Sequence, residues 1–141
     1  MLCSKILVAC DGSTLGQKAL GKAIELASLD QSIKIEVIYV VTIPNQPHAV
    51  LDNIPEIEEV LYREGKEVIE QANLALSKLP NFSQTYLLNG SPSSVILNHA
   101  QEYKCDLIIM GSRGLSGIKE FLGSVSHKVV QWSPIPVLII K

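Results

Sequence analysis

Short apolar runs alternate with longer stretches of helical periodicity along the whole chain. Residues Lys5–Cys10 (KILVAC) form a short continuous apolar run, the mark of a strand buried on both faces of a parallel sheet. Asp11-Gly12-Ser13-Thr14 supplies turn and cap chemistry, and a helical stripe follows at Leu15, Ala19, Ala23, Ile24 and Ala27. Residues 33–41 (IKIEVIYVV) alternate and then become solidly apolar, which predicts a second strand. A polar loop with Pro44, Asn45 and Pro47 leads to a long amphipathic helix from Ile54, with apolar positions Ile57, Leu61, Val68, Ala72, Leu76 and Leu79. Pro80-Asn81 stops that helix.

The second half repeats the alternation. Ser83–Asn89 (SQTYLLN) predicts a third strand, and Gly90-Ser91-Pro92 opens a helix carrying Val95, Ile96 and Ala100. Residues 105–110 (CDLIIM) predict a fourth strand. A glycine-bearing segment over 111–123 then leads into a helix whose inner face is read as Val125, Val129 and Trp132. Pro134 breaks this helix, and 136–140 (PVLII) is the fifth strand. Strands alternating with helices imply right-handed crossovers and a parallel sheet covered on both faces, a doubly wound, Rossmann-like α/β fold. Ligands of such sheets sit beyond the carboxyl ends of the strands, where the winding reverses. The positions just after Cys10, Val41, Asn89 and Met110 are therefore the ones to read for chemistry.

Composition narrows the function classes. The chain has 141 residues, the size of one domain over 1–141, and 47% of them are hydrophobic, enough to build a core. Twelve Lys+Arg against 14 Asp+Glu leave no basic excess for a general grip on nucleic acid. The apolar runs are strand-sized, far below the roughly 20 residues of a membrane-spanning helix. Met1-Leu2-Cys3-Ser4-Lys5 runs straight into the first strand, which predicts no signal peptide. Three widely spaced cysteines suit a reducing compartment and make no CxxC motif, so a cytoplasmic location is expected.

Two strand ends carry candidate chemistry. Asp11, after the first strand, either accepts hydrogen bonds from a ribose or helps hold a metal, or it only caps the helix that follows. Gly111, Gly114, Gly117 and Gly123 are expected to admit positive φ and close backbone approach. Ser124 and Ser126 open a helix, where hydroxyls and free N–H groups together make an anion site suited to phosphate. A glycine-rich loop also serves as a plain flexible connection.

The blocks KILVACDGS, GSPSSVI and MGSRGLSGIKEFLGSVSHKVVQWSPIPVLII resemble the universal stress protein family over nearly the whole chain. The ATP-binding members carry Gly-x2-Gly-x9-Gly-Ser/Thr after the fourth strand. Here Gly111-x2-Gly114 is followed by eight residues before Gly123-Ser124, one fewer than the pattern. The resemblance implies a five-stranded sheet of order 3-2-1-4-5 and an adenine-nucleotide-binding regulatory protein, with ATP, ADP or AMP as ligand and Mg²⁺ or Mn²⁺ held through the phosphates. Ala9 and Asp11 would flank the adenosine, and Val40 or Val41 would meet the adenine through backbone groups. Met110 and Gly111 would lie against base and sugar, while Gly114, Gly123, Ser124, Val125 and Ser126 would hold the phosphates. Gly90-x-Pro92-x3-Ile96 matches a family signature with a mainly structural role. The resemblance also implies a homodimer through antiparallel pairing of the fifth strand, whose apolar edge invites a partner.

Other signals are set aside. His48, His99 and His127 do not cluster at metal-ligand spacing; His99 is expected on the exposed side of its helix and His127 at the surface. Cys10 reads as a small buried hydrophobe, Trp132 and Val129 as core. Arg113 and Lys119 are cations able to offset phosphate charge. No nucleophile–base–acid set, Gly-x-Ser-x-Gly elbow or Gly-x4-Gly-Lys-Ser/Thr loop is present, so no catalytic residue is assigned. A phosphoacceptor receiver lacks its acidic residues here, since the third strand ends in Asn89. A dinucleotide oxidoreductase lacks Gly-x-Gly-x-x-Gly after the first strand. The competing readings are a dimeric interaction protein of the same family that binds no nucleotide, and a slow ATP hydrolase using the same site.

Overall fold

A computed structural model describes residues 3–42, 54–114 and 122–141. The polar loop with Pro44, Asn45, Pro47 and His48, and the residues Gly117 and Lys119, lie outside the described residues. Along the chain come β1 (Lys5–Cys10), α1 (Thr14–Ala27), β2 (Lys34–Val41), α2 (Ile54–Leu76) and β3 (Ser83–Asn89), then α3 (Pro92–Glu102), β4 (Leu107–Gly111), α4 (Ser124–Trp132) and β5 (Val137–Ile140). The five strands form one parallel sheet of order β3-β2-β1-β4-β5. The winding reverses between β1 and β4, where Ala9 lies in register with Met110.

Strand alternation divides the core into two apolar layers. Ile6, Val8 and Cys10 face α1 and α2 together with Ile35, Val37 and Ile109. Leu7, Ile38, Ile108 and Met110 face α3 and α4. Close approach of α2 to the sheet depends on Gly65, where a Cβ would stand 2.6 Å from Leu87 Cδ1 and 3.0 Å from the Tyr39 ring. α2 ends at Leu76, ahead of the Pro80-Asn81 pair expected to stop it, and Asn81 fixes the following connection instead. Its buried amide donates to the carbonyls of Ala27, Asp30 and Ile33, tying the end of α1 to the start of β2.

Element boundaries move where backbone groups have other partners. β4 begins at Leu107 rather than 105, because Cys105 N–H closes the end of α3 on Ala100 O. Asp106 turns its carboxylate to the N–H groups of Ser4 and Lys5. β2 begins one residue after Ile33, whose N–H donates to Asp30 O in the preceding turn.

Two side-chain expectations are overturned. Trp132 is 69% exposed rather than core, because the buried positions of α4 are Ser126 and Val129 and that phase leaves Trp132 on the flank. His99 is buried at 4% exposure rather than facing solvent. It is drawn inward by Glu36, a carboxylate inside β2 that is only 2% exposed. Glu36 meets His99 Nε2 at 2.6 Å and Lys5 Nζ at 2.8 Å. His99 Nε2 and Glu36 Oε2 share this buried hydrogen bond. Tyr103 stacks on the imidazole at 4.3 Å and Tyr86 meets it edge-on at 4.6 Å. This polar cluster lies at the amino ends of the strands, away from the switch point.

Candidate functional site

The carboxyl ends of β1 and β4, together with the starts of α3 and α4, enclose a cleft of about 420 Å³. That volume falls in the range of small-ligand sites. Its lining is mixed. The apolar part comes from Ile38 and Val40 of β2, Met110 of β4, Pro92 and Ile96 of α3, and Val125 of α4. The polar and backbone-rich part comes from Asp11, Gly111, Arg113, Gly114, Gly123 and Ser124. Ala9, Cys10 and Ser126 complete the wall.

Asp11 is exposed, and its Oδ1 accepts from the backbone N–H of Ser13 at 2.9 Å and from the Ser13 hydroxyl. The cap of α1 is Ser13, not Asp11: Ser13 Oγ accepts the Gly16 N–H at 3.1 Å. Asp11 thus braces the capping residue with one oxygen, while its Oδ2 lies against Gly114 across the switch point. A Cβ at Gly114 would stand 2.7 Å from that oxygen. Beside it, burial first and the Asp11 charge second push the Cys10 thiol up to about 12, so it stays protonated near neutral pH.

The glycines work by close approach. Among the described glycines only Gly12 (φ 83°) and Gly90 (φ 144°) have positive φ, so Gly111, Gly114 and Gly123 do not adopt the left-handed backbone expected of them. A Cβ at Gly111 would stand 2.8 Å from Leu15 Cβ, and one at Gly123 would stand 3.2 Å from Arg113 Cα. Gly123 is the N-cap of α4 and no side chain caps the helix there. The Gly123 N–H itself donates to Ser112 O, and the first intrahelical bond runs from His127 N–H to Gly123 O. The N–H groups of Ser124, Val125 and Ser126 are the ones a helix start leaves without intrahelical acceptors. With the positive end of the helix dipole behind them and Arg113 in the same wall, they suit an anion.

Ten of the eleven residues singled out in the sequence line this cleft; Val41 does not. Alternation puts Val41 on the same side of β2 as Val37 and Tyr39, toward α2, and it is 1% exposed. Val40 faces the cleft instead. The Ser126 hydroxyl also departs from expectation, since it bonds to Ser112 O and Gly123 O rather than standing open. Pro92 and Ile96, read as structural, also line the cleft, and the Gly90-x-Pro92-x3-Ile96 spacing was the available signal. Ile38 carried no signal beyond being in a strand. His127 is exposed, as expected.

The universal stress protein family model matches residues 3–141, and the chain belongs to that family. It is 40% identical to the universal stress protein YxiE of Bacillus subtilis, over 98% of this chain and 99% of that one. Among solved structures, that of the protein MJ0577 superposes with a TM-score of 0.88 at 27% identity, covering all of this chain and 97% of the other. Two more distant structures of the same fold hold nucleotides. A universal stress protein in complex with cAMP is 23% identical (TM-score 0.74, covering all of this chain and 99% of the other). A family member from Arabidopsis thaliana with AMP bound is 20% identical (TM-score 0.73, covering 98% and 91%).

Proposed function

We propose that the chain is a regulatory protein of one domain over 1–141 that binds an adenine nucleotide (ATP, ADP or AMP) in the switch-point cleft. The carrying observation is that apolar side chains and an uncapped helix start line one cavity, a combination that suits a base and a phosphate. The base would lie among Ile38, Val40, Pro92, Ile96 and Met110. Asp11 would accept from the ribose, and Gly114, Gly123, Ser124 and Val125, with the Ser126 N–H, would surround the phosphate. The nucleotide complexes of related proteins support the reading. Among the described residues no group of three His, Cys, Asp or Glu side chains is placed to hold a metal ion, so Mg²⁺ or Mn²⁺ would be held through the phosphates. No helix among the described residues is long and apolar enough to cross a membrane, and the three cysteines are free thiols. Free thiols suit a reducing compartment such as the cytoplasm.

Two measurements test this. Chromatography of nucleotide extracted from the purified protein should find an adenine nucleotide. Calorimetry should find that Asp11→Ala weakens AMP binding by about 1–3 kcal/mol, the range for losing a hydrogen bond to a charged group. If stability falls while affinity stays unchanged, Asp11 is only a brace for Ser13.

The homodimer belongs to the same proposal. β5 lies at the sheet edge, Leu138 on it is 39% exposed, and the large exposed Trp132 precedes it at the end of α4. Such an edge favours pairing with a second copy about a two-fold axis. Sedimentation at micromolar concentration should give twice the monomer mass, and a strictly monomeric result would remove the strand-pairing model.

A further inference from the structure

We infer that the Ser126 side chain plays a positioning role, a staple that holds the start of α4 against the end of β4, and that its hydroxyl is not a donor to the ligand. Two bonds converge on one carbonyl. Ser112 O accepts the Gly123 N–H at 2.6 Å and the Ser126 hydroxyl at 2.7 Å. The same hydroxyl also lies 3.0 Å from Gly123 O. A serine hydroxyl has one proton, and here it is committed to these two carbonyls. Ser126 is only 2% exposed, so its hydroxyl points into the protein although the residue borders the cleft.

Ser112 is itself anchored, because its N–H continues the sheet ladder to Ile140 O at 2.8 Å. The chain of contacts therefore runs from β5 through Ser112 to the first turn of α4. That linkage fixes the direction in which the open N–H groups of Ser124, Val125 and Ser126 point. Ser124 differs, since it is exposed at the first helical position and also lines the cleft. One serine aims the helix start and the other is placed to touch what binds there. The inference rests on the nucleotide reading for its consequence, but the staple itself is independent of any ligand.

The test uses the full chain, unmodified and as Ser126→Ala and Ser124→Ala. Amide exchange at Gly123 is read without nucleotide, and AMP and adenosine affinities are read by calorimetry. Ser126→Ala should speed Gly123 exchange in the nucleotide-free protein about fivefold to tenfold, the worth of one buried hydrogen bond. It should weaken AMP by a similar factor and leave adenosine unchanged. Ser124→Ala should weaken AMP without altering Gly123 exchange. The inference is overturned if Ser126→Ala leaves Gly123 exchange unchanged, because the hydroxyl then acts on the ligand alone. It is equally overturned if exchange rises while AMP affinity holds. Should neither AMP nor adenosine bind the unmodified protein, the nucleotide reading fails, and the exchange measurement still decides whether Ser126 is the staple.

Discussion

Replacing Glu36 with alanine is expected to destabilise the folded protein by about 3 kcal/mol, read as a lower urea midpoint at unchanged slope. The carboxylate is buried between two nitrogen partners, Lys5 Nζ at 2.8 Å and His99 Nε2 at 2.6 Å. Removing one member of a buried charged set typically costs about 3–5 kcal/mol, because the partners are left uncompensated away from water. The lower end applies here for a geometric reason. Lys5 keeps a bond to Tyr103 O at 2.9 Å and a position 5.5 Å from the centre of the Tyr103 ring, and it is partly exposed. His99, stacked and buried, keeps no such alternative among the described residues. A loss below about 1 kcal/mol would mean that the cluster relaxes around the missing carboxylate and contributes little.

The second large effect is on binding and follows from the proposed nucleotide site. Gly114→Val is expected to weaken AMP affinity about tenfold to a hundredfold, with stability changed by no more than about 1 kcal/mol. A Cβ at this position would stand 2.7 Å from Asp11 Oδ2, and among the described residues its next neighbour is Asp11 Cγ at 3.9 Å. The new side chain must therefore displace the Asp11 carboxylate. Gly114 is exposed, so the core is untouched. Calorimetry with AMP, paired with thermal unfolding of the same preparations, separates the two quantities. Unchanged affinity would show that the carboxylate can turn away from Gly114 without consequence for the ligand.

Much of the site was legible in the sequence because strand ends are marked by local chemistry. An apolar run that breaks at Asp11-Gly12-Ser13, and another that breaks at Gly111, announce where backbone leaves the sheet. The alternation of runs and stripes then implies parallel order, and parallel order puts those ends on one edge. This is why Asp11 and Gly111 could be singled out from information within a few residues of each position, whereas Ala9 and Met110 entered only through the family resemblance.

What remained depended on phase and on distant partners. The family resemblance offered Val40 or Val41 for the adenine; the pleat turns Val40 to the cleft, because Val41 shares a side with Val37 and Tyr39. The stripe of α4 reads equally well through Trp132, but packing set its phase on Ser126 and Val129. His99 turned inward because a carboxylate 63 positions earlier needed a partner, and no window around residue 99 contains that fact. The Ser126 hydroxyl belongs to the same class, since its acceptor Ser112 is brought to it by the sheet. The sequence by itself determined the element order and the edge on which a ligand would sit. The tertiary structure decided which face each side chain took and which polar atoms were already engaged, because burial makes every donor and acceptor find its partner across the fold.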